Sequence, residues 1–395
     1  MIGGVSEHSR VLAAAAAGRG REVHVWTTPG APPRTNETSE LRERATRAER
    51  GNGAPASERV GESERRSPWE EKAGVQVHTV PGAFTPADLS RTNDALERYD
   101  PPRDLLVQWV PHGFGYRGMN LHFARWVARR AATGDRVDVM VHEPFVDYFG
   151  GSWIQPARAL VQRHMTRMVL RAARRVWMSI PGWEARLLPM VRDASVLRVL
   201  PVPGTIPVHR SMAVIAEVRS RALGPARRLV GYFGAGGPYA EAALQAAVGD
   251  LAARRRDIAF LCIGRGSERV AARLNAPQVR ATGAIDLTSL SHHLSACDVL
   301  LQPYVDGVSG RRTTTISALE HGIPVATTFG ALSEPFWRDT RAVAVVPSEA
   351  PHLLAGATEQ LLSDDRHAEA QSAAAALYLA RFEPGVALAP FFEEG

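Results

Sequence analysis

The chain has almost no lysine, few cysteines and no long apolar run. Lys72 is its only lysine, so no lysine elsewhere in the chain can have a catalytic or phosphate-binding role. Cys262 and Cys297 stand apart in apolar surroundings, which predicts buried free thiols in a reducing compartment and not a zinc site. No segment approaches the roughly 18–20 apolar residues of a membrane span, and the first residues do not resemble a secretory signal. We therefore expect a cytoplasmic protein.

The composition is typical of a soluble globular protein. Its 395 residues exceed one ordinary core and predict two domains. The formal net charge of +6 is mild for this length. It suits anionic small ligands or a membrane surface, and it is weak support for nucleic acid, which we do not expect as a partner.

Short apolar runs alternate with helical periodicity along both halves of the chain. In the first half, strands are predicted to begin at 23, 75, 105, 137 and 176, with helices over about 6–17, 86–98, 120–132 and 154–174. The intervening stretch of about 29–72 is rich in Arg, Glu, Ser, Gly and Pro, which predicts a mobile surface insertion. A Pro/Gly-rich linker at 201–207 separates this half from a second series, with strands predicted at 229–233, 258–263, 279–282, 299–302 and 324–327.

This alternation predicts parallel sheets built from right-handed βαβ units. Two such series predict two doubly wound, Rossmann-like domains. Ligands of these folds lie at the carboxyl ends of the strands, so we expect the functional site in the cleft between the domains.

The segment that begins Asp306-Gly-Val-Ser-Gly-Arg-Arg-Thr-Thr-Thr carries the strongest chemical signal. It follows a predicted buried strand and combines a Gly-containing loop, two adjacent arginines and a helix start, which together form an anion site. Arg311 and Arg312 supply guanidinium forks that fit phosphate oxygens, so the predicted ligand is a diphosphate. The alternative is an arginine pair on a solvated loop.

Other loops at predicted strand ends are weaker signals. The glycine loops at 231–238 and 263–267 permit close approach of a ligand or are plain tight turns. His142-Glu-Pro-Phe follows a first-half strand, and His142 is either a capped core residue or a functional one. Pro111-His-Gly-Phe-Gly-Tyr follows another strand, and its aromatic residues could form a wall for an acceptor. The helix from Arg158 to Arg175 has six arginines and no acidic residue. It is either a surface helix packed on its sheet or a contact for anionic lipid or a phosphorylated acceptor.

Several of these segments resemble glycosyltransferase family 4, in order along nearly the whole chain. They are the opening Gly3-Gly-Val-Ser-Glu-His-Ser with the later Gly-Arg-Glu-Val-His-Val, the His142-Glu-Pro after a strand, Ala296-Cys-Asp-Val-Leu-Leu-Gln-Pro and Ala318-Leu-Glu-His-Gly-Ile-Pro-Val. The resemblance implies the GT-B fold and a retaining, metal-independent sugar transfer without a cofactor. It places a nucleotide-diphosphate sugar in the second domain and a small-molecule or lipid-linked acceptor in the first.

Three departures from that family stand out. Its members usually begin with a strand before the Gly-Gly loop, and loss of that strand would leave a neighbouring strand unpaired. Two family glutamates fall at Ser309 and Ser317, where a serine can still hydrogen-bond, but less strongly. The family's Arg and Lys after the first strand of the second domain are absent from Gly234-Ala-Gly-Gly-Pro-Tyr, and we expect Arg311 and Arg312 to replace that charge.

The expected organisation is an acceptor-binding domain over 1–203, a donor-binding domain over 204–382 and a tail, 383–395, that returns to the first domain. The predicted catalytic residues are His142, Arg311 and Arg312. The residues predicted to bind the donor are Gly3, Gly4, Gly234, Gly236, Gly264, Gly283, Ser309, Gly310, Thr313, Thr314 and Ser317. Those predicted to bind the acceptor are His112, Phe114, Tyr116 and Glu143. Two alternatives stay open: a non-catalytic binding or partner subunit, favoured by the two serines, and a sugar-nucleotide hydrolase or epimerase.

Overall fold

A computed structural model describes residues 4–28, 74–148, 153–274 and 276–393. The predicted insertion at about 29–72 lies outside these residues, as does Gly3. Every strand pairing in the described chain is parallel, as the alternation of strands and helices predicts. None of the described helices is both long enough and apolar enough to cross a bilayer.

The first half of the described chain contains six strands and five helices. The strands are β1 (Val23–Trp26), β2 (Val75–His78), β3 (Asp104–Trp109), β4 (Arg136–Val141), β5 (Arg175–Met178) and β6 (Leu197–Val199). The helices are α1 (Gly4–Ala17), α2 (Pro86–Leu96), α3 (Leu121–Ala132), α4 (Gln155–Ala172) and α5 (Glu184–Leu187).

The strands of this half fall into two sheets. β1 pairs with β2, and a separate sheet has the order β3-β4-β5-β6. β3 is therefore an edge strand paired on one side, and its residues 105–108 are only half-buried, whereas residues 137–141 of β4 are fully buried. The strand that usually precedes the Gly-Gly loop in the resembled family has no counterpart among the described residues, which open directly with α1.

The second half contains one six-stranded sheet. Its strands are β7 (Arg228–Phe233), β8 (Ile258–Ile263), β9 (Val279–Ala281), β10 (Val299–Gln302), β11 (Val325–Phe329) and β12 (Val343–Pro347). Its helices are α6 (Met212–Leu223), α7 (Pro238–Arg254), α8 (Ser267–Ala271), α9 (Leu287–Ser295), α10 (Thr313–Glu320), α11 (Phe336–Asp339), α12 (Leu354–Leu362), α13 (Asp364–Arg381), α14 (Pro384–Ala387) and α15 (Ala389–Glu393).

The order of this second sheet is β12-β11-β10-β7-β8-β9. The chain builds outward from β7 in one direction and from β10 in the other, so the two adjacent strands form a topological switch point. Strands covered on both faces should be continuously apolar, and all six residues of β8 are buried. Cys262 in β8 and Cys297 before β10 are free and buried, and burial raises the pKa of the Cys262 thiol to about 12.

Residues of both halves, among them Trp177 and Phe382, pack into one hydrophobic core. Gly204 N donates to Phe382 O at 2.9 Å, and a Cβ on Gly204 would lie 2.6 Å from Glu320 Oε2. Tyr378 Oη donates to Glu320 Oε1 at 2.9 Å. Beyond it, the Phe391 ring lies 5.6 Å from that of Trp177 in β5. Glu320 is therefore a buried carboxyl group inside the crossing between the halves.

This environment predicts a pH-dependent stability. Burial raises the pKa of Glu320 from its ordinary 4.5 to about 7, although the Tyr378 hydroxyl opposes the shift. The folded chain thus binds the proton more tightly than the unfolded chain, so the stabilisation is complete below pH 4.5 and is lost as the pH rises through 7. We expect Glu320→Gln to gain stability over the parent chain progressively across that interval, as measured by thermal unfolding. A stability difference that does not change with pH would contradict this.

Candidate functional site

The loops after β7 and β10 flank a crevice at the switch point of the second sheet. Gln302 Nε2 at the end of β10 donates to Phe233 O at the end of β7, 3.1 Å away, so the two strands end together. The helices that follow leave on opposite faces and open a space between the loops. The glycine loop at 234–237 and the arginine loop at 306–312 border this space, as the sequence predicts for a ligand site.

Asp306 holds both arginines of the second loop. The guanidinium groups of Arg311 and Arg312 each pair with the Asp306 carboxylate. Arg312 lies over the Tyr304 ring at 4.5 Å. The Arg311 side chain is only 13% exposed, and burial and the neighbouring Arg312 lower its pKa, but arginine stays charged in proteins. One carboxylate thus serves two guanidinium groups, and an entering anion would compete with it for their N–H donors.

The arginine loop faces the first half of the chain across the crevice. The Arg311 guanidinium lies 5.2 Å from the ring centroid of Trp183, which follows β5. Its Nη1 is 3.8 Å from Glu143 Oε1, just past β4, and Glu143 Oε2 is 3.9 Å from His112 Nδ1, just past β3. The carboxyl ends of both sheets therefore border one crevice, which excludes the alternative of an arginine pair on a solvated outer loop.

A neutral imidazole lies deeper in the first-half wall. His142 Nε2 donates to Gln108 Oε1 at 2.7 Å, and the ring is 4.9 Å from that of His8 in α1. Burial, reinforced by His8, lowers the pKa of His142 well below its ordinary value. Burial also lowers the pKa of His8 to about 4. Both rings are uncharged at neutral pH, so they can exchange hydrogen bonds with a hydroxyl but cannot balance a phosphate charge.

The two serines at the family's glutamate positions are buried. Ser309 and Ser317 are 0% and 1% exposed, respectively, and neither hydroxyl has a hydrogen-bond partner in the described part of the chain. A carboxylate from another loop lies beside the first of them. Glu334, after β11, accepts from Gly310 N at 3.1 Å and from Trp337 Nε1 at 2.8 Å, and burial raises its pKa.

The helix α10 starts at this loop without a side-chain cap. Its first residue is Thr313, and Arg312 before it makes no capping hydrogen bond. Thr313 N and Thr315 N already donate to Arg311 O and Arg312 O, at 3.1 and 3.0 Å, so the helix start favours an anion mainly through its dipole. Thr314 Oγ1 is already hydrogen-bonded to Tyr304 Oη at 2.7 Å. The predicted contact of Thr314 with a donor would have to compete with that bond.

The predicted glycines of the second half lie on the loops that follow its strands. Gly236 N donates to Tyr232 Oη, Gly264 N to Thr282 Oγ1 and Gly283 N to Ser267 Oγ, at 3.1, 2.9 and 2.9 Å. All three have positive φ, from +67° to +93°, which favours glycine. Gly3 lies outside the described residues, and Gly4 is the first residue of α1.

The predicted acceptor residues differ in their surroundings. His112 and Glu143 are half-exposed at the crevice, and Tyr116 is 49% exposed with φ +49°. Phe114, predicted as part of an aromatic wall, instead stacks on Phe123 at 4.0 Å within the core. An aromatic residue near a strand end can either border a ligand site or pack into the core, and the sequence does not distinguish these two positions.

Asp306, Trp183, Glu334 and His8 were not singled out from the sequence. Asp306 is the first residue of the quoted arginine segment, and its position five residues before Arg311 could have indicated an ion pair. Trp183 and Glu334 reach the site through tertiary packing and leave no pattern along the chain, whereas His8 lies in the quoted segment that begins at Gly3. Among the described residues, no three His, Cys, Asp or Glu side chains converge as metal ligands would.

Comparisons with known proteins found one family match and several similar solved structures. Residues 228–364 match the family described as "Glycosyl transferases group 1", which is about a third of the chain. No curated protein matches it. Among solved structures, Anabaena HepE in complex with UDP-glucose is similar over 100% of this chain and 96% of its own, at 15% identity and TM-score 0.65. Sucrose-phosphate synthase from Thermosynechococcus elongatus is similar over 98% of this chain and 92% of its own, at 18% identity and TM-score 0.63.

The glycosyltransferase WaaG, which takes part in lipopolysaccharide biosynthesis, is similar over 99% of this chain and 95% of its own, at 13% identity and TM-score 0.62. These likenesses confirm the predicted α/β fold of GT-B type with two Rossmann-like domains.

The arginine loop requires glycine at one point, which yields a stability prediction. Gly307 has φ +85°, and a Cβ there would lie 2.1 Å from Gly330 N in the loop after β11. Gly307→Ala should therefore lose about 2 kcal/mol or more of unfolding free energy, because left-handed strain and a backbone clash add together. Denaturant titration measures this loss.

Gly249 in α7 is a matched control, because a Cβ there would meet nothing within 4 Å. Gly249→Ala should gain about 0.5–1 kcal/mol. Equal stabilities of the two alanine variants would show that the close approach of the two loops is not a real constraint.

Proposed function

We propose that this chain is a retaining glycosyltransferase that moves a sugar from a nucleotide diphosphate to an acceptor hydroxyl. One observation carries the proposal: Arg311 and Arg312 lie at the switch point of the second sheet and face the other half of the chain across a crevice. The family match at 228–364 covers this loop. The similar structure of HepE holds UDP-glucose, which supports a nucleotide-sugar donor.

In this proposal the donor diphosphate takes the place of the Asp306 carboxylate between the two guanidinium groups. The bond from the anomeric carbon to the phosphate oxygen breaks, and the acceptor oxygen bonds to that carbon on the same face. The acceptor proton passes to the departing diphosphate. Charge develops on that leaving group, where the two arginines and the uncapped start of α10 stabilise it, a contribution worth about 3–4 kcal/mol at comparable sites.

His142 has a positioning role against the donor sugar. Its imidazole is neutral at physiological pH, because burial lowers its pKa well below the ordinary value. It offers a hydrogen bond to a sugar hydroxyl without attracting the diphosphate away from the arginines. The half-exposed His112 and Glu143 border the same crevice from the first half, which suits contact with the acceptor.

The division of labour follows the two halves of the chain. Residues 1–203 would hold the acceptor and 204–382 the donor, with 383–395 returning to the first half. The cation–π contact between Arg19 and Phe392, 3.9 Å from the ring centroid, supports that return. We propose metal-independent transfer in the cytoplasm, with a small-molecule or lipid-linked acceptor and no nucleic-acid partner.

A second candidate function is a binding or partner subunit without catalysis. Ser309 and Ser317 favour it, because two buried hydroxyls replace the carboxylates of the resembled family and make no compensating bonds in the described chain. A sugar-nucleotide hydrolase or epimerase is a third. Assay with a panel of nucleotide sugars separates them: transfer to a supplied acceptor supports the first, nucleotide binding without turnover the second, and release or inversion of free sugar the third.

The arginine pair yields a direct prediction for nucleotide binding. Arg311→Ala/Arg312→Ala should weaken the affinity for the best-bound nucleoside diphosphate by more than about tenfold, since each hydrogen bond to a charged group contributes roughly 1.5–3 kcal/mol. Isothermal titration calorimetry with uridine, guanosine and adenosine diphosphates measures the change. Unchanged affinity would refute the proposal.

Asp306→Asn is the matched control for this loop. It leaves both arginines in place and removes only the carboxylate that occupies them. We expect affinity equal to or tighter than that of the parent chain. If Asp306→Asn weakened binding as much as loss of both arginines, the loop would need the ion pair for its shape, and the alanine result would not report on phosphate contact.

A further inference from the structure

A second cluster of arginines lies at the opposite end of the first-half sheet. Arg136 is the first residue of β4, and Arg174 immediately precedes β5. These positions mark the amino ends of the strands, whereas the crevice borders the carboxyl ends. A cleft of about 330 Å³ opens there between α3, α4 and the strand starts, and Arg171 and Arg192 complete its basic lining.

The acidic groups around this cleft are already paired. Asp135 is buried and accepts from Arg103 Nη1 at 3.0 Å and from Arg130 Nε at 2.6 Å. Asp138 accepts from Arg174 Nη2 at 3.1 Å and from Arg175 Nε at 3.2 Å. Each aspartate thus receives two guanidinium groups, which leaves a surplus of positive charge.

The two remaining acidic groups do not remove this surplus. Asp104 Oδ2 accepts from Arg136 Nη2 at 2.8 Å. Asp193 adjoins Arg192 in sequence and stays charged, because hydrogen bonds from Ser195 lower its pKa. The seven arginines at positions 103, 130, 136, 171, 174, 175 and 192 still outnumber the four aspartates at 104, 135, 138 and 193. Arg171 and Arg192 are exposed and have no acidic partner in the described part of the chain.

The floor of the cleft is apolar, and its rim is basic. Val137, Leu170 and Val196 line the floor. A volume of 330 Å³ equals about ten water molecules at roughly 30 Å³ each, which accommodates a phosphate group and a small organic substituent. Guanidinium forks pair with the oxygens of a phosphate or a carboxylate two at a time, so an oxyanion fits this lining better than a halide, and a phosphate offers a third oxygen to a second guanidinium group.

We propose that this cleft is a second anion site, which binds the phosphate group of an ester and is separate from the nucleotide crevice. Arg171 and Arg192 bind the phosphate oxygens, and Arg136 and Arg174 add charge while they remain paired to aspartates. The phosphate belongs either to a soluble metabolite or to a lipid headgroup.

The exposed face of α4 has features that favour a lipid as the source of the phosphate. Trp153, just before the helix, is 93% exposed, and Leu160 is 63% exposed. Arg167 and Arg171 follow on the same face at helical spacing. Of the other helix arginines, Arg163 is held over the Phe145 ring at 4.1 Å. An exposed apolar end joined to a basic end is the pattern of a surface that contacts anionic lipid.

The test uses the full chain and a double variant, Arg171→Ala/Arg192→Ala. Because both side chains are exposed, the substitutions should leave thermal stability nearly unchanged. Calorimetric titration with inorganic phosphate covers a soluble source, and sedimentation with phosphatidylglycerol vesicles, against phosphatidylcholine vesicles, covers a lipid source. We expect the variant to lose about tenfold in affinity in at least one arm, the size of one hydrogen bond to a charged group, and that arm identifies the source.

Two controls remove the same charge elsewhere. Arg256→Ala/Arg366→Ala changes exposed arginines of the second half, and Arg311→Ala/Arg312→Ala empties the crevice. Both should keep the binding that the first variant loses. Loss of binding in the Arg256→Ala/Arg366→Ala control would show that the effect reflects the net charge of the chain and not the cleft. Loss in the crevice variant alone would place the phosphate there. No loss in any variant would show that the cleft does not bind phosphate; each of these three results overturns the proposal.

Discussion

The ion pairs of Asp306 with Arg311 and Arg312 are the interaction on which the site depends. One carboxylate between two guanidinium groups orders the loop after β10, and Arg311 also lies 3.8 Å from Glu143 across the crevice. The loop keeps its shape because Gly307 lets its backbone lie against Gly330. Its position at the switch point then follows from the strand order alone. An arginine-containing loop elsewhere on the sheet would face solvent instead of the first half of the chain.

The first half supplies a wall of different character. Trp183 covers one guanidinium group, Glu143 lies near it, and the uncharged His142 lies deeper. The crevice therefore has a cationic side and a side made of neutral and weakly acidic groups. That asymmetry suits a ligand with a charged end and a hydroxyl-rich end.

Much of this architecture could be predicted from the sequence, because parallel strands covered on both faces must be continuously apolar. β8 and β10 lie at their predicted bounds. β6 and β12 were not predicted, since short strands near a sheet edge carry little signal. The arginine loop was predictable because charge, glycine and a helix start are adjacent in sequence. Glu334 and Trp183 were not, because they approach the loop only through packing. The replacement of two glutamates by Ser309 and Ser317 is visible in the sequence, but their burial without partners is not.

The most direct test is a crystal structure of the chain with its best-bound nucleoside diphosphate. The account predicts phosphate oxygens within hydrogen-bonding distance of Arg311 and Arg312, with Asp306 displaced from at least one of them. A diphosphate bound elsewhere, with Asp306 still paired to both arginines, would contradict it.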